Sequence, residues 1–265
     1  QVWPLHLNLT IYDHFSLLPH GIDSLMYWMD QTYAEADANI AFDEAILEAA
    51  EANEILTPIL RVWEPANPVV VLGRSSKVES EVDIESCTKS GIPVLRRCSG
   101  GATILTSPGC LMYAVVLSYE CEPRLRSLDF AHQFVISRIS QTINSFGIQT
   151  TMKGTCDLTF NGRKFSGNAL RCKKNWLLYH GTLICKGMNT SLISRYLRMP
   201  ERQPAYRDGR SHQDFVGSLP VETDALKTAL KKNWKCEAEF LDLPTQRTID
   251  LVDTKYSQDT WNLKI

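Results

Sequence analysis

The sequence has no long apolar run and no excess of charge of either sign. None of its apolar stretches approaches the roughly 20 residues that a membrane-spanning helix needs. Its 28 basic and 30 acidic side chains give a net charge of −2. This balance argues against a protein that coats nucleic acid or binds a membrane through a basic surface. A hydrophobic content of 44% and a charged content of 22% exclude wholesale disorder.

The eight cysteines lack the spacings of a metal site or of a disulfide-rich domain. None forms a C-x-x-C pair, and no histidine lies at zinc-finger spacing from two of them. Residues 1–10 have neither the basic segment nor the long apolar segment of a signal peptide. We therefore expect reduced, mostly buried thiols and a cytoplasmic protein.

Several motifs of nucleotide-binding and hydrolytic enzymes are also missing. The sequence contains no G-x-x-x-x-G-K-[ST] phosphate loop, no G-x-G-x-x-G dinucleotide loop, no H-E-x-x-H and no G-x-S-x-G. Its six histidines form no ligand cluster. These absences argue against a P-loop ATPase and against a metal enzyme built on histidine.

Apolar periodicity and turn residues divide the chain into a lead-in and one mixed domain. Residues 1–34 predict an irregular segment with an edge strand near residues 5–11, and residues 35–265 predict a single domain. Strands come in groups with helices between them, which favours an α+β fold of mixed or antiparallel sheets flanked by helices. The predicted helices are 37–54 (capped by Asp37), 79–90, 129–146, 191–197 and 223–234. The predicted strands are 59–63 and 69–72 (a hairpin or adjacent strands), 94–97, 103–105, 111–119, 156–160, 163–169 and 176–185.

A first candidate site follows the strand 94–97, where two arginines precede a Ser-Gly-Gly turn. Arg96 and Arg97 place fixed positive charge beside the bare backbone of Ser99, Gly100 and Gly101. Such a loop suits an anion or a polarised carbonyl, because glycine lets the backbone approach a ligand closely. A plain glycine hairpin with surface arginines explains the same pattern.

A second candidate site is the hairpin around Asn161-Gly162, a strong two-residue turn signal. A two-residue turn sets Thr159 opposite Lys164 and Asp157 opposite Ser166. The alternation of a strand then puts these four side chains on one polar face and Cys156 on the other, mostly apolar face. A solvated sheet face is the alternative explanation.

Seven motifs in order resemble the lipoate–protein ligase A family, within the larger biotin/lipoate ligase and octanoyltransferase superfamily. The resemblance runs from about residue 35 to 220. It rests on Asn39-Ile-Ala-Phe-Asp-Glu-Ala-Ile-Leu47, Arg61-Val-Trp63, Gly73-Arg74, Arg96-Arg-Cys-Ser-Gly-Gly101, Asp157-Leu158, Asn161-Gly-Arg-Lys-Phe-Ser-Gly-Asn-Ala169 and His180-Gly-Thr-Leu183. It implies the catalytic-domain fold of biotin and lipoate ligases.

The resemblance implies that ATP activates lipoate or octanoate to an acyl-adenylate. The acyl group then passes to a lysine of a lipoyl carrier domain, of the 2-oxoacid dehydrogenase E2 or glycine cleavage H protein type. Lys164 would contact the reacting carbonyl and phosphate oxygens, and Asp157 would lie near the nucleotide and its Mg²⁺. Residues 69–72 and 111–116 would supply an apolar slot for the acyl tail. The remaining implied binding residues are Arg74, Arg96, Arg97, Ser99, Gly100, Gly101, Ala102, Ser166, Gly167, His180, Gly181 and Thr182.

The sequence also departs from the family pattern. Ala102 stands where a third glycine is usual, Ile104-Leu105-Thr106 replace an aromatic-His-Asp run, and Cys156 replaces a common asparagine. Only about 30 residues follow the predicted helix that ends at Trp234. We therefore expect the C-terminal accessory domain of two-domain ligases to be missing, so that the protein either needs a separate accessory protein or runs only part of the reaction.

Two other functions remain open from the sequence. In an ATP-independent octanoyl or lipoyl transferase, Cys156 would carry the acyl group as a thioester and Lys164 would activate it. The predicted register opposes this role, because it places the two on opposite faces, and favours a structural cysteine unless a bulge intervenes. A non-catalytic acyl- or carrier-binding module would explain Ala102 and Thr106. Biotin ligation is disfavoured, because residues 96–103 lack the signature of biotin ligases.

Overall fold

The computed structural model describes residues 26–264 of the chain, and within them it contains twelve β-strands and nine α-helices. The strands are β1 (Met26–Asp30), β2 (Ile59–Trp63), β3 (Val69–Leu72), β4 (Val94–Arg96), β5 (Ile104–Thr106), β6 (Cys110–Ser118), β7 (Thr151–Lys153), β8 (Asp157–Phe160), β9 (Arg163–Ser166), β10 (Asn168–Cys172), β11 (Trp176–Ile184) and β12 (Cys236–Glu239). The helices are α1 (Ala36–Glu51), α2 (Val78–Glu81), α3 (Ile84–Lys89), α4 (Leu128–Asn144), α5 (Ser191–Tyr196), α6 (His212–Phe215), α7 (Thr223–Asn233), α8 (Thr245–Leu251) and α9 (Asp259–Asn262). The predicted α+β class is confirmed.

A six-stranded mixed sheet forms the centre, in the order β10-β11-β6-β2-β1-β12. β6 pairs antiparallel with both β11 and β2, whereas β1 runs parallel to β2 and to β12. All nine residues of β6 are buried, as expected for a strand covered on both faces. Helix α1 packs against β6 and β11 and buries eleven of its sixteen residues.

The lead-in and the first helix differ from their predictions. Residues 26–30 form strand β1, so the prediction of irregular structure over 1–34 is wrong for them. The edge strand expected near residues 5–11 lies outside the described residues. Asp37 does not cap α1, because Glu35 occupies the cap position; Asp37 lies in the first turn, where a carboxylate favours the helix dipole.

Two smaller sheets flank the centre, and their pairings also correct the predictions. β2 belongs to the central sheet and β3 to a three-stranded sheet with β4 and β5, so the two strands are not paired with each other. The single helix expected over 79–90 is divided into α2 and α3, because Val82 is extended and bridges Leu197. Asp83 then caps α3 by accepting a hydrogen bond from the Ser86 amide.

The segment predicted as one strand over 163–169 contains two strands in different sheets. β9 belongs to a three-stranded sheet with β7 and β8, whereas β10 is the edge of the central sheet. Gly167 lies between them and carries the chain from one sheet to the other. This crossing brings the β8–β9 hairpin against the central sheet, where the candidate site is located. Within residues 26–264, the helices are too short or too polar to cross a membrane.

Candidate active site

A cavity of about 470 Å³ lies between the central sheet, the β8–β9 hairpin and the loop 97–103, which we call the glycine loop. One part of its wall is apolar and is formed by Ile40, Trp63, Val71, Ile104, Met112 and Leu170. The polar part includes Arg97, Asp157, Lys164 and His180. A volume of this size with a few convergent polar groups suits a small organic ligand. The predicted apolar slot is confirmed only at Val71 and Met112.

The β8–β9 hairpin contains a bulge that changes which side chains share a face. Thr159 lies opposite Lys164 as predicted, but Ser166 pairs with Leu158 and not with Asp157. The extra residue is Phe165, which is buried. The predicted polar face is therefore wrong at Ser166, whereas Asp157 and Lys164 share one side as predicted. The predicted placement of Cys156 and Lys164 on opposite faces is also wrong, since both line the cavity.

Lys164 and Asp157 form an ion pair in the cavity wall. The Lys164 Nζ atom lies 2.8 Å from Asp157 Oδ1, and the Tyr206 hydroxyl donates to Asp157 Oδ2 at 2.6 Å. Burial, followed by the hydrogen bond to Asp157, raises the pKa of Tyr206 above its usual value. The carboxylate thus fixes the ammonium on one side and the segment that carries Tyr206 on the other.

A second cavity of about 130 Å³ adjoins the first, and Lys164 lines both. The two also share Ala102, Thr103, Ile104, Gly167, Thr182 and Pro204. The second cavity is lined by the cationic side chains of Arg198, Arg202 and Arg207 and by apolar residues of α5 and α6. Ser166 contributes to this second cavity and not to the first. Lys164 therefore lies where the first cavity meets a smaller one, whose mainly apolar lining also carries three arginines and Glu81.

Arg97 holds the glycine loop in shape. Its guanidinium donates to the carbonyl oxygens of Gly100 at 2.6 Å and Ala102 at 3.0 Å, and its Nε donates to Ser99 Oγ at 3.1 Å. Burial lowers the pKa of Arg97 to about 10, so the side chain stays charged at neutral pH. Gly73 is required beneath this loop, because a Cβ there would lie 1.8 Å from the Gly101 carbonyl oxygen.

Arg96 and Arg74, both predicted to bind the ligand, line neither cavity. Arg96 is fully buried and donates to backbone carbonyls on both sides of its strand, those of Gly73, Arg74, Ser76, Trp261 and Lys264. Arg74 is exposed, and its amide donates to the Ser99 carbonyl. Their predicted ligand contacts are not supported, because Arg96 is used in holding the fold together and Arg74 faces solvent.

Cys156 lies beside Lys164 in the cavity wall, in a closed hydrogen-bond arrangement. Its Sγ donates to the Asn168 carbonyl at 3.1 Å, and Asn168 Nδ2 donates to the Cys156 carbonyl at 2.6 Å. Burial and then the charge of Asp157 raise the pKa of the Cys156 thiol to about 11. Gly181 is required opposite, because a Cβ there would lie 1.9 Å from Asn168 Oδ1. Because its pKa is raised to about 11, the Cys156 thiol is protonated at neutral pH.

His180 and Thr182 on β11 both face the first cavity, as predicted. His180 Nε2 lies 2.6 Å from Ser99 Oγ, and His180 Nδ1 lies 3.0 Å from Asp43 Oδ2. The sequence motifs contained Asp43 but gave it no role. Three further lining residues, Trp63, His132 and Asn168, were not singled out either, because the strands and helices that bring them together are far apart in sequence.

The residues present do not fit a metal ion held by the protein. One Asp157 oxygen is paired with the Lys164 ammonium, and the other accepts a hydrogen bond from Tyr206. From residue 26 to residue 264, no three acidic, histidine or cysteine side chains are grouped to hold a metal. The role predicted for Asp157 beside a metal therefore has no support from its contacts.

With an apolar wall on one side and Arg97 and Lys164 on the other, the first cavity suits a ligand that has an apolar tail and an anionic head. Residues 35–235 match the lipoyl protein ligase A/B catalytic domain, and the chain belongs to this family. A protein of Aeropyrum pernix named "Putative lipoate-protein ligase A" is 33% identical over 233 residues, covering 83% of this chain and 85% of that protein. The octanoyltransferase LipM of Oceanobacillus iheyensis is 28% identical and covers 74% of this chain and 76% of its own length.

Solved structures share the fold. The bipartite lipoate protein ligase of Thermoplasma acidophilum, described with its E2 lipoyl domain, has a TM-score of 0.75 at 21% identity. It covers 90% of this chain and 96% of its own. A lipoate-protein ligase A bound with ATP has a TM-score of 0.75 at 20% identity. The match covers 90% of this chain and 98% of that one. The chain is thus an enzyme, either a lipoate–protein ligase or a closely related lipoyl or octanoyl transferase.

Proposed function

We propose that this enzyme uses ATP to activate lipoate or octanoate as an acyl-adenylate. It then transfers the acyl group to a lysine of a lipoyl carrier domain. The observation that carries the proposal is the position of Lys164 at the junction of the two cavities. The first cavity would hold the acyl tail, and the arginines of the second would receive the nucleotide phosphates, which brings the carboxylate and the α-phosphate together at Lys164.

In the first step, a carboxylate oxygen of the acid attacks the α-phosphorus of ATP, and the bond to pyrophosphate breaks. Negative charge grows on the phosphate oxygens as the new bond forms. A fixed ammonium aimed at these oxygens stabilises the transition state more than the ground state. Asp157 and Tyr206 support this role, because Asp157 pairs with Lys164 at 2.8 Å and Tyr206 in turn holds Asp157 by a hydrogen bond of 2.6 Å.

In the second step, the carrier lysine attacks the acyl carbonyl as a neutral amine. The bond to the AMP oxygen breaks, AMP leaves with its electron pair, and the nitrogen loses a proton to solvent. The carbonyl oxygen becomes negative in the tetrahedral intermediate, so Lys164 and the glycine-loop amides would serve it as well. The enclosed cavity would protect the mixed anhydride from water.

Three substrates or partners follow from this proposal. ATP would arrive with Mg²⁺ as part of the substrate, and the ATP-bound ligase of the same fold supports this site. The acceptor would be a lipoyl domain of the E2 or H protein type, as the T. acidophilum ligase is described with its E2 lipoyl domain. Because that ligase is bipartite, we further propose that a separate accessory polypeptide completes the activity.

The test is ATP–pyrophosphate exchange driven by lipoate or octanoate, with and without a candidate accessory protein. We expect exchange that is lost in Lys164→Ala and kept in Cys156→Ala. Lys186→Ala is a matched control, since Lys186 is an exposed lysine that lines neither cavity. Absence of exchange in every mixture, with a folded protein, would contradict the adenylation step.

A second candidate function is thioester transfer through Cys156. The hairpin bulge supports it, because Cys156 and Lys164 share one cavity, and the similarity to LipM is consistent with it. Against it stands the thiol pKa of about 11, which leaves little thiolate at neutral pH. Transfer from an octanoyl carrier without ATP, abolished in Cys156→Ala, would establish this route in place of adenylation.

A further inference from the structure

A buried chain of hydrogen bonds connects strand β2 and helix α1 to the glycine loop. Arg61 Nη1 lies 2.5 Å from Asp43 Oδ1, and the other oxygen of Asp43 lies 3.0 Å from His180 Nδ1. His180 Nε2 lies 2.6 Å from the Ser99 hydroxyl, which lies 3.1 Å from Arg97 Nε. The five side chains come from four separate parts of the fold, and four of them are buried.

The donor and the acceptor of each hydrogen bond in this series follow from the chemistry of the side chains. The Asp43 carboxylate only accepts, so the proton of His180 is on Nδ1. Although burial alone would raise the pKa of Asp43, Arg61 and His180 hold it below its usual value. With Nδ1 protonated, Nε2 accepts from the Ser99 hydroxyl, and the Ser99 oxygen accepts from Arg97. Arg61 fixes Asp43, Asp43 fixes His180, and His180 fixes Ser99.

The last members of this hydrogen-bond chain, Ser99 and Arg97, determine the direction in which the backbone N–H groups of the glycine loop point. Arg97 binds the carbonyls of Gly100 and Ala102, and in a trans peptide the following N–H points the opposite way. The N–H of Thr103 follows this rule and donates to Glu81 at 2.9 Å. By the same geometry, the N–H of Gly101 points away from Arg97. It has no hydrogen-bond partner among residues 26–264, and Gly101 lines the cavity.

We propose that Asp43 is a positioning residue which, through His180 and Ser99, aims the Gly101 amide at the oxygen that becomes negative during acyl transfer. The identity of that oxygen rests on the proposed function, since it would belong to the carbonyl or phosphate of the acyl-adenylate. Amides held in place before the reaction stabilise such an oxygen without reorganising. Asp43 and Arg61 would thereby influence catalysis without touching the substrate.

The same helix supplies a matched control for Asp43. Glu44 is the next residue and is equally buried, at 5% exposure against 4% for Asp43. It binds Lys255 at 2.5 Å and the Tyr256 hydroxyl at 2.6 Å, and it makes no hydrogen bond to His180. Loss of either carboxylate therefore removes a buried ionic contact, but only Asp43 belongs to the chain that reaches the loop.

The experiment compares Asp43→Asn with Glu44→Gln in the full chain. In Asp43→Asn, the amide oxygen stays with Arg61 and the NH₂ group faces His180, which forces the proton to Nε2. His180 then donates to Ser99, the reverse of the wild-type bond, and the Ser99 hydroxyl must turn its own proton elsewhere. We expect Ser99 and the glycine loop to shift as a result. A displacement of this kind near the reacting atoms lowers the rate about 100-fold. We expect this loss in kcat, with a less than threefold change in lipoate affinity, and near-normal kcat in Glu44→Gln.

Nitrogen-15 NMR of the histidine rings measures which ring nitrogen of His180 carries the proton. This quantity would not change if Asp43 only stabilised the fold. The His180 signals, identified by their absence in His180→Gln, should show protonated Nδ1 in the wild type and protonated Nε2 in Asp43→Asn. Ser99→Ala serves if Asp43→Asn fails to fold, and should lower kcat without changing the His180 tautomer.

Three results would overturn the proposal: equal kcat losses in the two carboxylate variants, an unchanged His180 tautomer in Asp43→Asn, or an unchanged kcat in both Asp43→Asn and Ser99→Ala. The NMR result does not depend on the reaction. A wild type without adenylation activity but with the expected tautomer change would therefore count against the proposed function and not against the hydrogen-bond chain.

Discussion

The two walls of the cavity are built in different ways. The glycine loop is held mainly by two buried arginines: Arg97 binds two of its carbonyls, and Arg96 anchors the strand before it. The half-buried Glu81 binds its Thr103. The opposite wall, the β8–β9 hairpin, is joined to residues 206–213, which we call the cover segment, by part-buried or exposed contacts. These include Tyr206 with Asp157, Arg210 with the Gly162 carbonyl, and Arg163 with the Gln213 carbonyl.

We infer from this difference in contacts that the glycine-loop wall is preformed, whereas the hairpin wall can open. Contacts exposed to water are individually weak, because water competes for both partners, and segments held by them open at low free energy. Buried hydrogen bonds of a charged group are costly to break. We expect substrates to enter past the hairpin side, while the glycine loop keeps its shape throughout.

The largest expected effect is on the chemistry of the hairpin wall. Lys164→Met should lower the rate of lipoate-dependent exchange about 100- to 1,000-fold, the usual cost of removing one stabilising group from an anionic transition state. Its side chain is 28% exposed, so the free energy of unfolding should change little. Exchange kinetics and urea unfolding of Lys164→Met and Lys186→Met measure the two quantities. A Lys164 variant that unfolds easily would show that this wall is also structural.

The next effect concerns stability on the glycine-loop side. Arg96→Met removes the donor for five backbone carbonyls and should lower the free energy of unfolding by about 3–5 kcal/mol, as for other broken buried charge contacts. Arg74→Met, at an exposed arginine nearby, should change it by less than about 0.5 kcal/mol. Urea denaturation measures both, and equal effects would contradict the conclusion that buried groups hold the glycine-loop wall.

A smaller effect concerns the thiol at the base of the hairpin. Because the pKa of Cys156 is raised to about 11, its thiolate forms only at high pH. Its alkylation rate should rise about tenfold for each pH unit from 7 to 10. The measurement uses iodoacetamide and mass spectrometry in a Cys121→Ser, Cys172→Ser background, since the other five cysteines are buried. A plateau below pH 9 would indicate an activated thiol and favour the thioester route.

The smallest effect tests the hairpin's link to the segment that covers it. Tyr206→Phe removes one hydrogen bond to Asp157 and should cost about 1 kcal/mol. Because Asp157 also holds Lys164, which lies between the two cavities, we expect a several-fold rise in the KM for ATP with little change in kcat. Steady-state kinetics with saturating lipoate measure this. An unchanged KM would mean that the cover segment does not depend on Asp157 for its position.

Much of the candidate site was predictable, and the failures have identifiable causes. The Asn161-Gly162 turn was correct because its requirement is local: both residues have positive φ, at 49° and 73°, which this pair adopts readily. The bulge at Phe165 was not predictable, because it depends on burial of that ring against the rest of the fold. A one-residue change in register reverses every side chain beyond it.

The sequence by itself determined the family, the α+β class, the hairpin turn and the residues from which the site is drawn. Only the tertiary structure decided which of two adjacent arginines faces the cavity. Arg96 and Arg97 are chemically identical, but Arg96 meets the carbonyls of Trp261 and Lys264, 165 and 168 residues away in the chain. Contacts at such separations leave no local pattern in the sequence, since they depend on how distant elements pack. For the same reason, the chain of hydrogen bonds from Asp43 to the glycine loop became visible only in the folded protein.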